Sequence, residues 1–259
     1  MNWELVDWSI IGPALAAGLL VLSTHVPLGQ EVLKRGIIFI DLAIAQIAGL
    51  GVIAAHGLNW EQGGFEVQIA AVGAALAAAA VLNWTERRWP EIQEPLIGIS
   101  FILAATGGIL LLAGNPHGSE HLKDLLVGQI LWSTWTSLLP IAALTAVILP
   151  LWFLAREKIG AFGFYVTFAV AVTASVQIVG IYLVFASLII PALATMRWRR
   201  GNRLLASYLV GAVAYLVGIV LSALLDLPTG AIIVWTLAAL SLVAGFAMAQ
   251  RNGVRAHAG

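Results

Sequence analysis

Asp41 is the acidic residue of this chain that we place inside a hydrophobic helix, in the segment FIDLAIAQIAG. A carboxylate within a membrane helix costs about 3 kcal/mol or more, so it usually faces a bundle interior or a watery cavity and marks an ion path. A second interpretation stays open, because Asp41 is only six residues past Arg35 and could be solvated or paired there. Asp41 is our first candidate for handling a cation.

A second group of candidate ligands is His117, Glu120, His121 and Asp124, at spacings of three and four residues. On a helix this spacing places His117 above His121 and Glu120 above Asp124. Imidazole and carboxylate groups together suit zinc or manganese. The alternative is an ordinary solvated polar segment, because histidines four residues apart also recur by chance.

Gln46, Gln177 and Pro191 are candidates for lining or gating a pore. Gln46 is about 140° around the helix from Asp41, so the two side chains do not share a stripe. An interhelical hydrogen bond is the simpler interpretation of both glutamines. Pro191 removes a helix hydrogen bond and is expected to kink its helix, which would suit a moving element or a static bend.

The composition requires a lipid environment for these residues. The chain is 61% hydrophobic and 10% charged, whereas a soluble domain has about 25% charged residues. A net charge of zero and the lack of basic excess give no indication of nucleic-acid binding. The absence of cysteine excludes thiolate metal sites and disulfides.

The apolar segments predict an all-α polytopic transmembrane helix bundle that forms a single membrane domain over residues 1–259. Each crossing needs roughly 20 apolar residues. The long apolar run from Ala161 to Met196 is divided by a hairpin near Gln177 and Gly180. The nine predicted crossings are 10–26, 37–55, 67–84, 96–113, 138–155, 162–178, 180–196, 204–224 and 229–249. Residues between 114 and 136 include a short helix that lies along the membrane interface.

The distribution of basic residues predicts that the N-terminus is outside and the C-terminus inside. Lysine and arginine collect in cytoplasmic loops. With this orientation Lys123 is the only basic residue outside. The inner loops and termini then contain Lys34, Arg35, Arg87, Arg88, Arg156, Lys158, Arg197, Arg199, Arg200, Arg203, Arg251 and Arg255.

Five segments, taken in order, resemble the membrane permease subunit of bacterial ABC importers for zinc, manganese or iron. They are VPLGQEVLKRGIIFIDLAIAQ, LIGISFILAATGGILLL, HLKDLLVGQIL, VGIYLVFASLIIPALAT and LLDLPTGAIIV. The resemblance implies a homodimeric pore in the bacterial inner membrane, with a separate cytoplasmic ATPase and a periplasmic metal-binding protein. The implied substrate is a divalent metal, with zinc expected, and no permanently bound cofactor is implied.

The chain departs from the family pattern at two places. The family's second crossing carries a histidine four residues after the aspartate that matches Asp41, and here that position is Ala45. The loop after the fifth crossing usually contains a helix that docks on the ATPase, and here it is only AREKIGAFG. Arg156, Glu157, Lys158 and Ile159 are therefore the candidates for a reduced ATPase contact, with the segment WTERRWPEIQEP as a second one.

Three functions are consistent with these features. The leading hypothesis is an ATP-driven metal-importer permease whose ATPase is a separate chain, because no phosphate-binding loop is present. The alternatives are an ATP-independent metal transporter or channel, which the short loop suggests, and a membrane assembly subunit that transports nothing. An enzyme has least support, since no nucleophile–base pair is evident.

Overall fold

The computed structural model describes residues 8–57, 60, 64–113, 118–198 and 200–256. Eight α-helices make up almost all of this part of the chain. They are α1 (Trp8–Arg35), α2 (Ile40–Gly57), α3 (Phe65–Arg88), α4 (Gln93–Leu112), α5 (Gly118–Val127), α6 (Leu139–Ala194), α7 (Arg200–Leu225) and α8 (Thr229–Ala256). Short 3₁₀ turns at Pro90–Ile92 and Ile130–Trp132 join neighbouring helices. The predicted all-α membrane bundle is confirmed.

The apolar helices correspond to the predicted crossings. Five are long and apolar enough to cross a bilayer: Trp8–Arg35, Phe65–Arg88, Pro90–Leu112, Glu157–Ala194 and Arg203–Leu225. Three shorter apolar helices are Ile40–Ala55, Leu139–Ala155 and Thr229–Gly245. The 38-residue stretch is broken at Gly180 and therefore supplies two of the predicted crossings.

Gly180 reverses the direction of α6. The centre of the Phe164 ring lies 4.4 Å from the guanidinium carbon of Arg35, at the end of α1. Thr195 is linked to α1 as well, because its hydroxyl is hydrogen-bonded to Ser207, which accepts a hydrogen bond from Gln30. A straight helix would separate residues 164 and 195 by about 46 Å, yet both lie near the last turns of α1. The reversal occurs at Gly180, whose φ of 78° and ψ of 164° suit glycine alone. The predicted hairpin is therefore present.

Gly160 makes the other bend in α6, with φ 60° and ψ −157°. The rings of Trp152 and Phe164, which flank it, lie 6.1 Å apart between centroids. Twelve residues of straight helix would separate them by about 18 Å. α6 therefore consists of three helical parts, 139–159, 161–179 and 181–194. Backbone angles at Pro191 stay helical, and both breaks are at glycines.

The two ends of the bundle are distinct. Arg35 contacts Glu86 near the end of α3, and Gln30 bonds Ser207 at the start of α7. We call this the basic end, because it also carries Lys34, Arg87, Arg88 and Arg197. The opposite end contains Gly180, the C-terminus of α5 and the N-terminus of α8, where the backbones of Gly128, Gly180 and Gly230 converge.

α1 packs closely against two other helices of the core. Its Gly18 lies against the ring of Tyr215, and its Gly29 lies against the backbone carbonyl of Leu188. Glycine at these positions allows α7 and the last part of α6 to approach α1 closely, which is how membrane helices gain packing energy. This central helix carries no acidic residue in the membrane core, and α2, which carries Asp41, packs outside it against α3 and α4.

Candidate functional site

Asp41 lies in the first turn of α2, immediately after the turn that follows α1. Its side chain is only 1% exposed. No side chain in the described part of the chain donates to either carboxylate oxygen, and the backbone N–H groups of Asp41 and Leu42 at the start of the helix interact with it only weakly. A buried acidic group without a partner is destabilising by about 1–3 kcal/mol or more.

The two sides of α2 have different surroundings. Asp41 shares its side with Ile44, Ala45 and Ala48, and all four are buried in the protomer core. Ala45 occupies the position at which the family pattern has histidine, so a small side chain stands where a second ligand was expected. Gln46 is on the other side of the helix, as the helical angle predicted.

Gln46 lines a cavity of about 550 Å³ between α2, α4, α5, the last part of α6 and α8. The wall is almost entirely apolar, and the amide of Gln46 and the phenol of Tyr182 are its main polar groups. Asp41 is not among the residues that line it, although the neighbouring Leu42 is. Other lining residues are Phe101, Ile109, Leu126, Ile181, Phe185, Ile190 and Val234.

Gln177 and Pro191 have structural partners. The Gln177 carbonyl accepts a hydrogen bond of 2.5 Å from the Gln68 amide, which joins α6 to the start of α3. This is the interhelical bond that the simpler interpretation predicted. Pro191 is buried, and its carbonyl accepts bonds from the hydroxyls of Thr195 at 3.0 Å and Ser207 at 3.2 Å.

The second group of candidate ligands is only partly described. His117 lies outside the described residues, as does the side chain of His121. Glu120 and Asp124 are exposed on α5, which forms the short helix expected in this region. Among the residues that the structure describes, no three His, Asp or Glu side chains come together as a metal site.

The four candidates for an ATPase contact form the last turn before the bend at Gly160. Glu157 and Lys158 are exposed and Ile159 is half-buried, while the side chain of Arg156 is outside the described set. The chain passes from the part of α6 before Gly160 to the part after it without a separate short helix. The exposed surface at this bend is correspondingly small.

A network at the basic end was not anticipated from the sequence. Arg35 donates to Glu31 at 3.1 Å and to Glu86 at 3.4 Å, and its guanidinium also lies over the ring of Phe164. The spacing of Glu31 and Arg35, four residues apart on one helix, was the available signal. The contact to Glu86 required knowledge of the tertiary packing.

A neighbouring group of buried polar side chains extends this network. Gln93 donates to the Tyr165 hydroxyl at 3.2 Å and to the Leu82 carbonyl at 2.9 Å, and it accepts from Thr85 at 2.9 Å. These bonds join the ends of α3 and α4 to α6. The basic end is therefore cross-linked by side chains from four helices.

His25 is a second buried polar group that the sequence analysis did not single out. The structure places it inside α1 with 0% exposure. Its Nδ1 donates to the Val21 carbonyl at 2.9 Å, and within the described residues its Nε2 has no partner. A histidine within a hydrophobic helix was the available signal.

Comparison with known proteins identifies the family. The chain matches the ABC 3 transport family over residues 7–169 and 157–248. A Chlamydia muridarum protein, named as a membrane protein of a metal transport system, is 24% identical over 86% of this chain and 80% of its own length. The manganese transport system membrane protein MntC of Halalkalibacterium halodurans is 25% identical over 97% of this chain and 91% of its own length.

A solved structure has the same fold. PsaBC from Streptococcus pneumoniae, solved in complex with Fab, superposes with a TM-score of 0.75 at 22% identity, covering 94% of this chain and 95% of the matched chain. The family match extends over nearly the whole chain. The chain belongs to the ABC 3 transport family and is a multi-pass protein of the bacterial plasma membrane.

Proposed function

We propose that this chain is the permease subunit of an ATP-driven importer for a divalent transition metal. The family match over residues 7–169 and 157–248 is the observation that carries the proposal. The names of the relatives from C. muridarum and H. halodurans, which refer to metal and to manganese transport, support it. ATP hydrolysis is assigned to a separate cytoplasmic chain and metal delivery to a periplasmic binding protein.

We propose that Asp41 handles the metal in transit. Its buried carboxylate, without a side-chain partner in the described residues, could accept a cation during part of the transport cycle. Because Asp41 does not line the cavity beside Gln46, α2 would have to rotate or separate from its neighbours to present it. Such alternation between closed and open packing is the usual behaviour of transporters.

The transported metal is proposed to be manganese, with zinc, the metal expected from the sequence, as the competing candidate. Replacement of the expected histidine by Ala45 removes a nitrogen ligand, and oxygen-only sites favour manganese over zinc. The H. halodurans relative, a manganese transport system membrane protein, also favours manganese. Uptake of both metals must therefore be measured side by side.

The central experiment measures uptake in proteoliposomes that contain the chain and its ATPase, with the metal-binding protein supplied on the side from which metal is delivered. We expect Asp41→Asn to reduce ATP-dependent uptake of Zn²⁺ and Mn²⁺ at least about tenfold, because the amide cannot supply a negative charge to the cation. Glu66→Gln is the matched control, since Glu66 is exposed in the first turn of α3 and belongs to no candidate site. Uptake by Asp41→Asn equal to that of the unmodified chain would assign Asp41 a structural role.

The same preparation distinguishes the alternative functions. Metal uptake without nucleotide would support an ATP-independent transporter, and the lack of uptake under any condition would support an assembly subunit. Lys158→Glu tests the ATPase contact, because a reversed charge at the bend should weaken co-purification of the ATPase. Arg197→Glu is its control, at an exposed site of the basic end outside both candidate contacts.

We further propose that a second copy of this chain completes the pore on the side of the cavity beside Gln46. Tyr182 is exposed at its rim, and the chain contains no cysteine, so single-cysteine variants report unambiguously. We expect Tyr182→Cys to form a covalent dimer with a short bismaleimide in membranes. Leu154→Cys, on a different exposed face, should stay monomeric, and equal cross-linking of both would contradict this interface.

A further inference from the structure

A second cavity lies at the basic end, remote from Gln46. Its volume is about 530 Å³, and it is formed by the last turns of α1, the part of α6 before Gly160 and the start of α7. Glu31, Lys34 and Arg203 supply charged groups on one side. Trp152, Phe153 and Leu204 supply an apolar wall on the other.

The charged side carries an excess of positive charge. Glu31 is compensated by Lys34 at 3.9 Å and by Arg35 at 3.1 Å. Arg203 forms no ion pair within the described part of the chain, and its buried Nε has no hydrogen-bond partner there. A partly buried guanidinium without an anion is unfavourable, and phosphate is a group that its planar donors fit well.

The apolar wall continues onto the surface of the bundle. Phe153 is 52% exposed and Leu205, next to the cavity, is 62% exposed. In a chain that spans a bilayer, such side chains face acyl chains. The cavity therefore joins a cationic end at the level of the basic residues to an apolar surface that faces lipid, and a ligand that fills it needs both an anionic head and hydrocarbon.

We propose that this cavity is a binding site for an anionic phospholipid of the leaflet at the basic end. The phosphate would lie between Arg203 and Lys34, and an acyl chain would lie along Phe153 and Leu204. A soluble phosphate would leave the apolar wall uncovered. A peptide segment of a partner protein would have no need for a wall that continues onto the lipid-facing surface.

The proposal is tested by native mass spectrometry of the full chain, released from detergent with added lipid. Dioleoylphosphatidylglycerol should bind in preference to dioleoylphosphatidylcholine. Removing either cation should weaken phosphatidylglycerol binding about fivefold, which is the usual effect of one basic residue at an anionic lipid. The variants are Arg203→Gln and Lys34→Gln, and Arg87→Gln is a control with the same charge change at an exposed site of the basic end.

Lys34→Gln keeps the test decisive if Arg203→Gln folds poorly, because the Lys34 side chain is 71% exposed and does not support the core. Equal weakening by Arg87→Gln would show that only overall charge matters and would overturn the site. Displacement of the lipid by inorganic phosphate at the same concentration would overturn the requirement for hydrocarbon. Binding of phosphatidylcholine as strong as that of phosphatidylglycerol would overturn the role of Arg203.

Discussion

The two ends of the bundle are held together by different kinds of contact. At the end opposite the basic residues, three helices meet backbone to backbone at Gly128, Gly180 and Gly230. The Gln129 amide also donates to the Ile178 carbonyl at 3.3 Å there. At the basic end, the close contact of Gly29 with the Leu188 carbonyl is accompanied by joints made by long side chains, with Arg35 at their centre.

The two ends of the bundle should therefore differ in how well they tolerate substitutions and small movements of the helices. Repulsion between atoms in contact rises steeply, so a backbone junction has no room for one methyl group. Ion pairs between long side chains lose energy gradually with distance and can re-form after small movements. The glycine junction therefore behaves as a fixed joint, whereas the side-chain joints of the basic end can adjust. On the proposed function, this places the adjustable end on the side where the ATPase would bind.

The sharpest test of the fixed joint is Gly180→Ala. A Cβ at this position would lie 2.3 Å from the amide nitrogen of Gly128 and 2.5 Å from the carbonyl carbon of Val127. Alanine would also be strained at φ 78°. We expect a loss of about 4 kcal/mol or more in the free energy of unfolding, or failure to accumulate in the membrane. Thermal unfolding in detergent and yield from membranes are the measurements.

Gly160→Ala separates the cost of backbone strain from the cost of steric overlap. Gly160 also has a positive φ, of 60°, but a Cβ there meets nothing within 4 Å. The free energy of unfolding of this variant should fall only by the cost of backbone strain, about 1–3 kcal/mol. If Gly160→Ala and Gly180→Ala are equally destabilised, the close approach of the three segments contributes nothing, and the proposed contrast between the two ends fails.

Gly230→Ala should have a smaller effect than Gly180→Ala. Its Cβ would lie 2.7 Å from the Val127 carbonyl oxygen, and its backbone angles are ordinary for any residue. A shift of α8 by a few tenths of an ångström relieves the overlap, so we expect a loss of about 2 kcal/mol by thermal unfolding. Gly73→Ala, in α3 with open space around it, is the control and should be neutral or stabilising. A neutral Gly230→Ala would remove α8 from the junction.

The sequence was sufficient for the helices but not for their junctions. The reversal near Gly180 could be predicted, because an apolar run of that length cannot cross once and the basic residues on both sides must share a face. The meeting of Gly180 with Gly128 and Gly230 could not, since the contact joins residues that are about fifty positions apart in the chain and depends on tertiary packing.

At the candidate site, too, the sequence predicted the local helix geometry but not the tertiary packing. The helical angle correctly predicted that Gln46 and Asp41 are on different sides of α2. It could not predict which side faces the cavity, because that depends on where α6 returns after Gly180. For the same reason, the assignment of Asp41 to a translocation path stays a prediction: its side chain is buried against the protomer core and not beside the cavity.

The smallest effect is expected at the basic end, from the pair Arg35 and Glu86. Their charged atoms are 3.4 Å apart, with side chains 22% and 24% exposed. Arg35→Gln, Glu86→Gln and the double variant form a double-mutant cycle, and we expect a coupling of about 0.5–1.5 kcal/mol in thermal unfolding. The coupling should shrink as salt is raised, because partly exposed pairs are screened. Lys34→Gln combined with Glu86→Gln is the control, since Lys34 is paired with Glu31 instead. A coupling energy as large as the loss of stability in Gly180→Ala, or one that does not change with salt, would contradict the proposed contrast. It would mean that the side-chain contacts of the basic end are as rigid as the glycine junction.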